Sequence, residues 1–166
     1  MRWTLNYFCM KYIILLVILF IPIGCDKQSP EPIPIEYQYN YNEQEIDLMN
    51  ITNHYRDSLQ LSTLVPIGHI GHLCETHNLY MIEKDTISHD YFYDRQVNLE
   101  QLYGATDIGE IIAYNYQNNQ SVLQAWLGSP DHAHVLKKPA YTNFGVSITT
   151  DPVTNKKYYT FIFIRK

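Results

Sequence analysis

The chain contains few cysteines, and their positions limit what they can do. Three are present in 166 residues: Cys9 and Cys25 lie near the N-terminus, and only Cys74 lies in the remainder. A single remaining thiol cannot form an intramolecular disulfide, so the fold has to be stabilised by its hydrophobic core. We expect Cys74 itself to be a small, buried apolar side chain.

Basic residues are also scarce. The chain has 12 Lys and Arg against 17 Asp and Glu, a formal net charge of −5, and its cations form no stripe that could neutralise phosphates. A nucleic-acid partner is therefore not expected. Solenoids and propellers are excluded because no internal repeat is visible. No Gly-x-Ser-x-Gly motif occurs, and nothing marks Ser88, Ser129 or Cys74 as an activated nucleophile, so we assign no catalytic residue.

No apolar run is long enough to cross a membrane comfortably. The longest, residues 12–23, contains 12 residues, whereas a membrane-spanning helix needs about 20. Arg2 and Lys11 precede this run and polar residues follow it, which is the pattern of a secretory signal peptide. We predict that residues 1–24 are a signal peptide that is removed after export.

The end of this segment, Gly24-Cys25, resembles a lipobox, although Pro22 stands where such motifs usually have leucine. We predict that Cys25 becomes the lipidated N-terminus of an extracytoplasmic cell-envelope lipoprotein, held to the membrane by its lipid. An ordinary secretory signal with an incidental cysteine and an uncleaved anchor are the alternatives. Loss of Arg2 and Lys11 with the signal would change the net charge from −5 to −7.

The rest of the chain divides into a tether and one domain. Residues 25–42 contain three prolines and favour extended backbone, so we predict a tether. Residues 43–166 fit a single domain. Within it, helical periodicity predicts helices over residues 43–59, 70–84 and 120–127, with a shorter one over residues 97–102. A brief strand is predicted over residues 108–114, and a turn over residues 130–132.

The C-terminal residues alternate with the period of β-strands. Phe144, Val146 and Ile148 begin the pattern, and residues 151–155 supply a hairpin loop. In the last strand, residues 158–164, both faces are apolar, which indicates a central strand covered on two sides by helices. We predict an α+β fold, a three-layer α/β/α sandwich with a mostly antiparallel sheet.

Four segments taken in order resemble the bacterial branch of the CAP superfamily, the cysteine-rich secretory, antigen 5 and pathogenesis-related proteins. They are residues 51–56, 77–89, 109–113 and 126–146. The third reads Gly-Glu-Ile-Ile-Ala, with Ile111 where the family usually has asparagine. The resemblance extends over residues 43–164 and implies the CAP fold.

The resemblance also implies a cleft. Better-studied members line it with two His and two Glu that can hold a divalent metal. By motif these positions fall on His89, Glu110 and His132, with Ser129 at the second Glu position. His89 and His132 could hold zinc, with Glu110 completing the site or orienting a metal-bound water. Equally, the three could form a satisfied polar network without metal.

Several other polar residues have simpler interpretations. We expect Ser129, directly before Pro130, to cap a helix rather than act with His132. His77 lies in an apolar stripe and is expected to be a buried, hydrogen-bonded histidine. Asn53 and Arg56 are expected to bind neighbouring backbone carbonyls. We expect Trp126 to belong to the core.

Together these features predict a binding protein rather than an enzyme. Its cleft, around His89, Glu110, Ser129 and His132, would hold a divalent metal or a small or lipidic ligand, and an unidentified envelope protein is a further possible partner. The alternative is a metal-dependent hydrolase of envelope peptides or glycans, with Glu110 as general base.

Overall fold

Five helices and four strands make up residues 33–166, the part of the chain that this computed structural model describes. The predicted signal peptide, Cys25 and the first part of the predicted tether lie outside the described residues. The elements in chain order are α1 Glu43–Ser58, β1 Val65–Pro66, α2 Gly68–Lys84, α3 Phe92–Tyr103, β2 Asp107–Tyr114, α4 Asn119–Gly128, α5 Pro130–Lys137, β3 Asn143–Thr150 and β4 Lys157–Arg165. None of these helices has the length and apolar character needed to cross a membrane.

The four strands form one sheet in the order β1-β3-β4-β2. Strand β4 lies inside it and pairs antiparallel with β3 on one side and with β2 on the other. The short β1 pairs parallel with β3, Val65 opposite Asn143. The predicted hairpin and mostly antiparallel sheet are confirmed. Strand β1 was not predicted, because two residues are too few to show a periodic pattern.

Helices cover both faces of the sheet. The odd residues of β4, Tyr159, Phe161 and Phe163, pack in a core cluster that includes residues of α1, α4 and α5. The even residues Ile162 and Ile164 pack with Ile70, Cys74 and Leu99 of α2 and α3, and Tyr158 packs with Met81. Because residues 158–164 are all buried, the predicted three-layer α/β/α sandwich of the α+β class is confirmed.

Helix α1 begins and is fixed through specific hydrogen bonds. Asn42 and Glu45 form a capping box at its start. Asn53 exchanges two hydrogen bonds with the backbone of Leu64, at 2.8 and 2.9 Å. Buried Arg56 donates to the carbonyl oxygens of Ser62, Leu136 and Lys138. The expectation that Asn53 and Arg56 bind neighbouring carbonyls is therefore confirmed.

The segment before α1 lies against the domain. Residues 33–42 have no regular secondary structure. The Tyr37 backbone N–H donates to Nδ1 of His69 at 2.9 Å. The Tyr41 hydroxyl donates to the carbonyl oxygen of Ile67 at 2.6 Å. This last part of the predicted tether therefore contacts α2 instead of extending freely into solvent.

One sequence expectation about the region after α4 is wrong, and a second is confirmed in position but not in its hydrogen bond. Residues 130–132 begin the helix α5 rather than forming a turn, because Pro130 at the first helical position fixes a helical φ. Ser129 occupies the N-cap position, but its hydroxyl makes no capping bond; only its carbonyl oxygen accepts from the Ala133 N–H at 2.8 Å. Helix α3 also starts five residues before its predicted start at residue 97.

The close approach of α2 to β3 depends on Gly145. A Cβ atom there would lie 2.6 Å from Cβ of Ile70 and 2.7 Å from the backbone nitrogen of Gly71. We expect Gly145→Ala to lower the free energy of unfolding by about 1–3 kcal/mol through overpacking. Gly128→Ala is the matched control, because no atom lies within 4 Å of a Cβ there. Urea unfolding monitored by circular dichroism measures both, and equal effects would contradict this account.

Candidate functional site

Glu110 is the centre of a buried ion-pair network. Its side chain is 1% exposed. It receives two hydrogen bonds from Arg95 of α3: Nε donates to Oε2 at 2.7 Å and Nη2 donates to Oε1 at 2.8 Å. Nδ1 of His89 lies 2.8 Å from Oε1. Both carboxylate oxygens are therefore engaged by partners from this chain.

These contacts keep Glu110 ionised. Burial alone raises the pKa of Glu110, but hydrogen bonds from His89 and Arg95, together with the charge of Arg95, outweigh it and hold the pKa below its usual value. A carboxylate in this state can only accept hydrogen bonds. Neutral His89 must then carry its proton on Nδ1, which leaves the Nε2 lone pair available.

The loop that carries His89 is held from several directions. Nε2 of His77 lies 2.8 Å from the carbonyl oxygen of Ser88. Nη1 of Arg95 donates to the carbonyl oxygen of Asp90 at 2.9 Å. Burial lowers the pKa of His77, with the charge of Arg95 adding to the effect, so His77 is neutral and structural. The expectation of a buried, hydrogen-bonded His77 is confirmed.

Ser129 and His132 lie at the junction of α4 and α5. His132 is in the first turn of α5, and burial lowers its pKa, with the neighbouring His89 adding to the effect. The neutral form, which has a lone pair, is therefore favoured. Exposed His134 lies two positions further along the same helix, so the two side chains do not share a face.

His89, Ser129 and His132 line one open groove with a volume of about 550 Å³. Its other lining residues are aliphatic or aromatic, and they include Ile87, Ile112, Ala113, Tyr114, Tyr116 and Trp126. Trp126 is also a core residue, as expected: it is 1% exposed, and its indole N–H donates to the carbonyl oxygen of Ile112 at 2.9 Å. The groove thus combines an apolar wall with three polar side chains.

The sequence interpretation missed Arg95. It falls four residues before Leu99, so the two share the buried face of α3. An arginine on an apolar stripe signals a buried partner of opposite charge, but the helix was predicted to begin only after it. Glu110 does not line the groove and is connected to it through its contact with His89.

The donor set of the groove does not form a complete metal site. Within residues 33–166, no group of three or more His, Cys, Asp or Glu side chains could hold a metal ion. Because Arg95 already binds the Glu110 carboxylate, the candidate metal ligands that remain are the imidazoles of His89 and His132, beside Ser129. Catalytic zinc sites in proteins use three protein ligands and an open position, and this set does not supply three.

Comparisons with known proteins agree with the fold. The family model described as CAP, cysteine-rich secretory protein family, matches residues 49–163. The chain belongs to this family. Its Ile111, in place of the usual asparagine, is fully buried in the core cluster that contains Trp126.

Several bacterial proteins resemble this CAP chain. An outer surface protein from Borrelia burgdorferi superposes with a TM-score of 0.69 at 19% identity, covering 80% of this chain and 99% of its own. An extracellular protein with an SCP domain from Bacillus anthracis gives a TM-score of 0.65 at 26% identity, over 74% of this chain and 40% of its own.

A curated relative is much longer than the region that it shares with this chain. An uncharacterised membrane protein of Bacillus subtilis strain 168 is 38% identical over 58 residues. The match covers 35% of this CAP chain and 15% of the relative. The likeness therefore concerns a short stretch of that protein.

The ion pair of Glu110 should appear as a pH-dependent part of stability. Glu110→Gln leaves Arg95 buried without a counter-charge, so at pH 7 we expect a loss of about 3–5 kcal/mol in the free energy of unfolding. The folded pKa of Glu110 lies below the ordinary value of 4.5. The contribution is therefore complete above that pH and is lost as pH falls through the folded pKa.

The difference between the wild-type chain and Glu110→Gln should accordingly shrink as pH is lowered from neutrality. Urea unfolding at a series of pH values measures it. Glu83→Gln is the control, because the Glu83 side chain is 73% exposed and should contribute little at any pH. A difference that stays constant across the series would contradict the assignment.

Proposed function

We propose that this chain is an extracytoplasmic binding module, held to a cell-envelope membrane by lipid on Cys25, whose groove binds a small or lipidic ligand. The names of two relatives, an outer surface protein and an extracellular protein, support the location. The N-terminal pattern of a charged segment, an apolar run and Gly24-Cys25 supports the anchor. An envelope protein that presents such a group would be an equally suitable partner.

The observation that best supports the binding role is that Arg95 and His89 occupy the carboxylate oxygens of Glu110. A general base must be able to take a proton near neutral pH. Glu110 has two bonds from Arg95, one contact with His89 and a lowered pKa, and it does not line the groove. The groove is left with imidazoles, a hydroxyl and a largely apolar wall, which suits ligand binding.

A groove of this composition should take an apolar ligand with a polar end. We expect the full chain to bind dansyl-undecanoic acid with increased dansyl fluorescence. Ala125 lines the groove, so Ala125→Phe should weaken binding about tenfold or more by occupying its space.

Gln124→Phe is the matched control, since Gln124 is the next residue of α4 and lies outside the groove lining. It should bind like the wild-type chain. If Gln124→Phe weakens binding while Ala125→Phe does not, the ligand occupies another surface.

The same groove is the proposed zinc site. We expect calorimetry on the full chain to show weak, exchangeable zinc binding through His89 and His132, lost in the double variant His89→Ala with His132→Ala. The control is His54→Ala with His134→Ala, which removes two exposed histidines. No heat in the wild-type chain, or an equal loss in the control, would leave the groove histidines as polar network members.

The alternative function is a metal-dependent hydrolase of envelope peptides or glycans. It requires Glu110 to activate water, and the contacts above oppose that role. Release of peptide or sugar fragments from cell-wall material by the zinc-loaded chain, abolished in Glu110→Gln at a temperature where circular dichroism shows that the variant is still folded, would support the hydrolase and contradict the binding module.

A further inference from the structure

A second pocket lies between α2 and the start of α3. It has a volume of about 290 Å³, and its walls are almost entirely apolar. None of its lining residues also lines the groove. Its size is at the lower end of the range for small-molecule pockets, so it suits a compact ligand group.

Three rings form part of its wall: those of His77, Tyr80 and Tyr91. The His77 and Tyr80 rings are nearly parallel, with centroids 6.0 Å apart. The Tyr91 ring meets Tyr80 edge-on at 5.3 Å. Ring faces carry partial negative charge and attract cations that have lost part of their hydration.

The backbone conformation of Tyr91 is costly, and the residues on either side of it are held by hydrogen bonds. Its φ is 58° and its ψ is 20°, left-handed backbone that a bulky L-residue seldom adopts. Tyr91 is nevertheless 62% exposed, so burial does not explain the conformation. The Tyr80 hydroxyl donates to Oδ2 of Asp90 at 2.7 Å, and the Phe92 N–H donates to the carbonyl oxygen of His89. Strained residues held in this way concentrate at functional positions.

The charges around the pocket favour a cation. Asp94 lines it and has no ion-pair partner within residues 33–166. Arg95 also lines it, but its charge is matched by the bidentate contact with Glu110. Burial lowers the pKa of His77, which therefore adds no positive charge near neutral pH.

We propose that this pocket, bounded by the rings of His77, Tyr80 and Tyr91 with Asp94 beside them, is a second binding site that takes an alkylammonium group such as that of choline. The ring faces contact the methyl groups, and the negative charge of Asp94, which contributes almost no polar surface to the pocket wall, attracts the ammonium from a distance. A neutral apolar group of the same shape would gain only the free energy of apolar contact, without the electrostatic attraction. The charge of the ligand therefore separates the proposed site from a simple apolar pocket.

The test compares choline with 3,3-dimethylbutanol, its uncharged isostere. Titrations use saturation-transfer NMR on the full chain in a detergent with a sugar headgroup, which carries no ammonium. We expect choline to bind at least about fivefold more tightly than the isostere. Tyr91→Leu and Asp94→Asn should each weaken choline binding about fivefold or more. If Tyr91→Leu fails to fold, the nearly isosteric Asp94→Asn variant still provides the test.

Tyr93→Leu is the matched control, because Tyr93 is 72% exposed and lies outside the pocket. It should bind choline like the wild-type chain. A parallel titration with glycerophosphocholine distinguishes sources: binding as tight as choline assigns a lipid headgroup, and weaker binding assigns a free solute. Equal binding of choline and its isostere, no binding of choline, or no effect of both pocket variants would overturn the proposal.

Discussion

The structure depends on β4, a strand whose two faces are both buried. Residues 158–164 of β4 are buried on both sides, so helices have to cover each face of the sheet. The aromatic side chains at odd positions pack in the larger cluster with α1, α4 and α5. The side chains at even positions pack against α2 and α3. One central strand thereby accounts for the layering and for a core that needs no disulfide.

That layering also decides where the polar residues can lie. In β2, Ile111 and Ala113 face the cluster with α1 and α4, and Ile112 faces α2. By the same alternation Glu110 points toward α2 and α3, where water is excluded. A carboxylate in that position needs a buried counter-charge, and Arg95 supplies it from α3.

Much of this was predictable from sequence because it depends on periodicity. The alternation in β4, the apolar stripes of α1, α2 and α4 and the burial of Cys74 and His77 are properties of single elements. Asn53 and Arg56 were predictable because polar residues on a packed helix need backbone partners. The CAP resemblance added the order of the elements and brought His89 and His132 forward as a pair.

What the sequence did not reveal depends on pairs of elements. Strand β1 exists only because Val65 and Pro66 pair with β3, and two residues show no period. The helix after Pro130 was anticipated only at its start: Ser129 and Pro130 were expected to begin a helix, but residues 130–132 were assigned to a turn. Arg95 was missed because its partner Glu110 is 15 residues away, on a strand whose facing was not assigned.

The Arg95–Glu110 pair opposes a role for Glu110 in proton-transfer chemistry. Two hydrogen bonds to Arg95 and one contact with His89 satisfy the carboxylate, so taking a proton would cost it those interactions and leave a buried guanidinium without its counter-charge. Glu110 also holds His89 beside the groove, and it neutralises the charge of Arg95 next to the aromatic pocket. Glu110 therefore acts through its neighbours, as a group that positions His89 and balances the charge of Arg95.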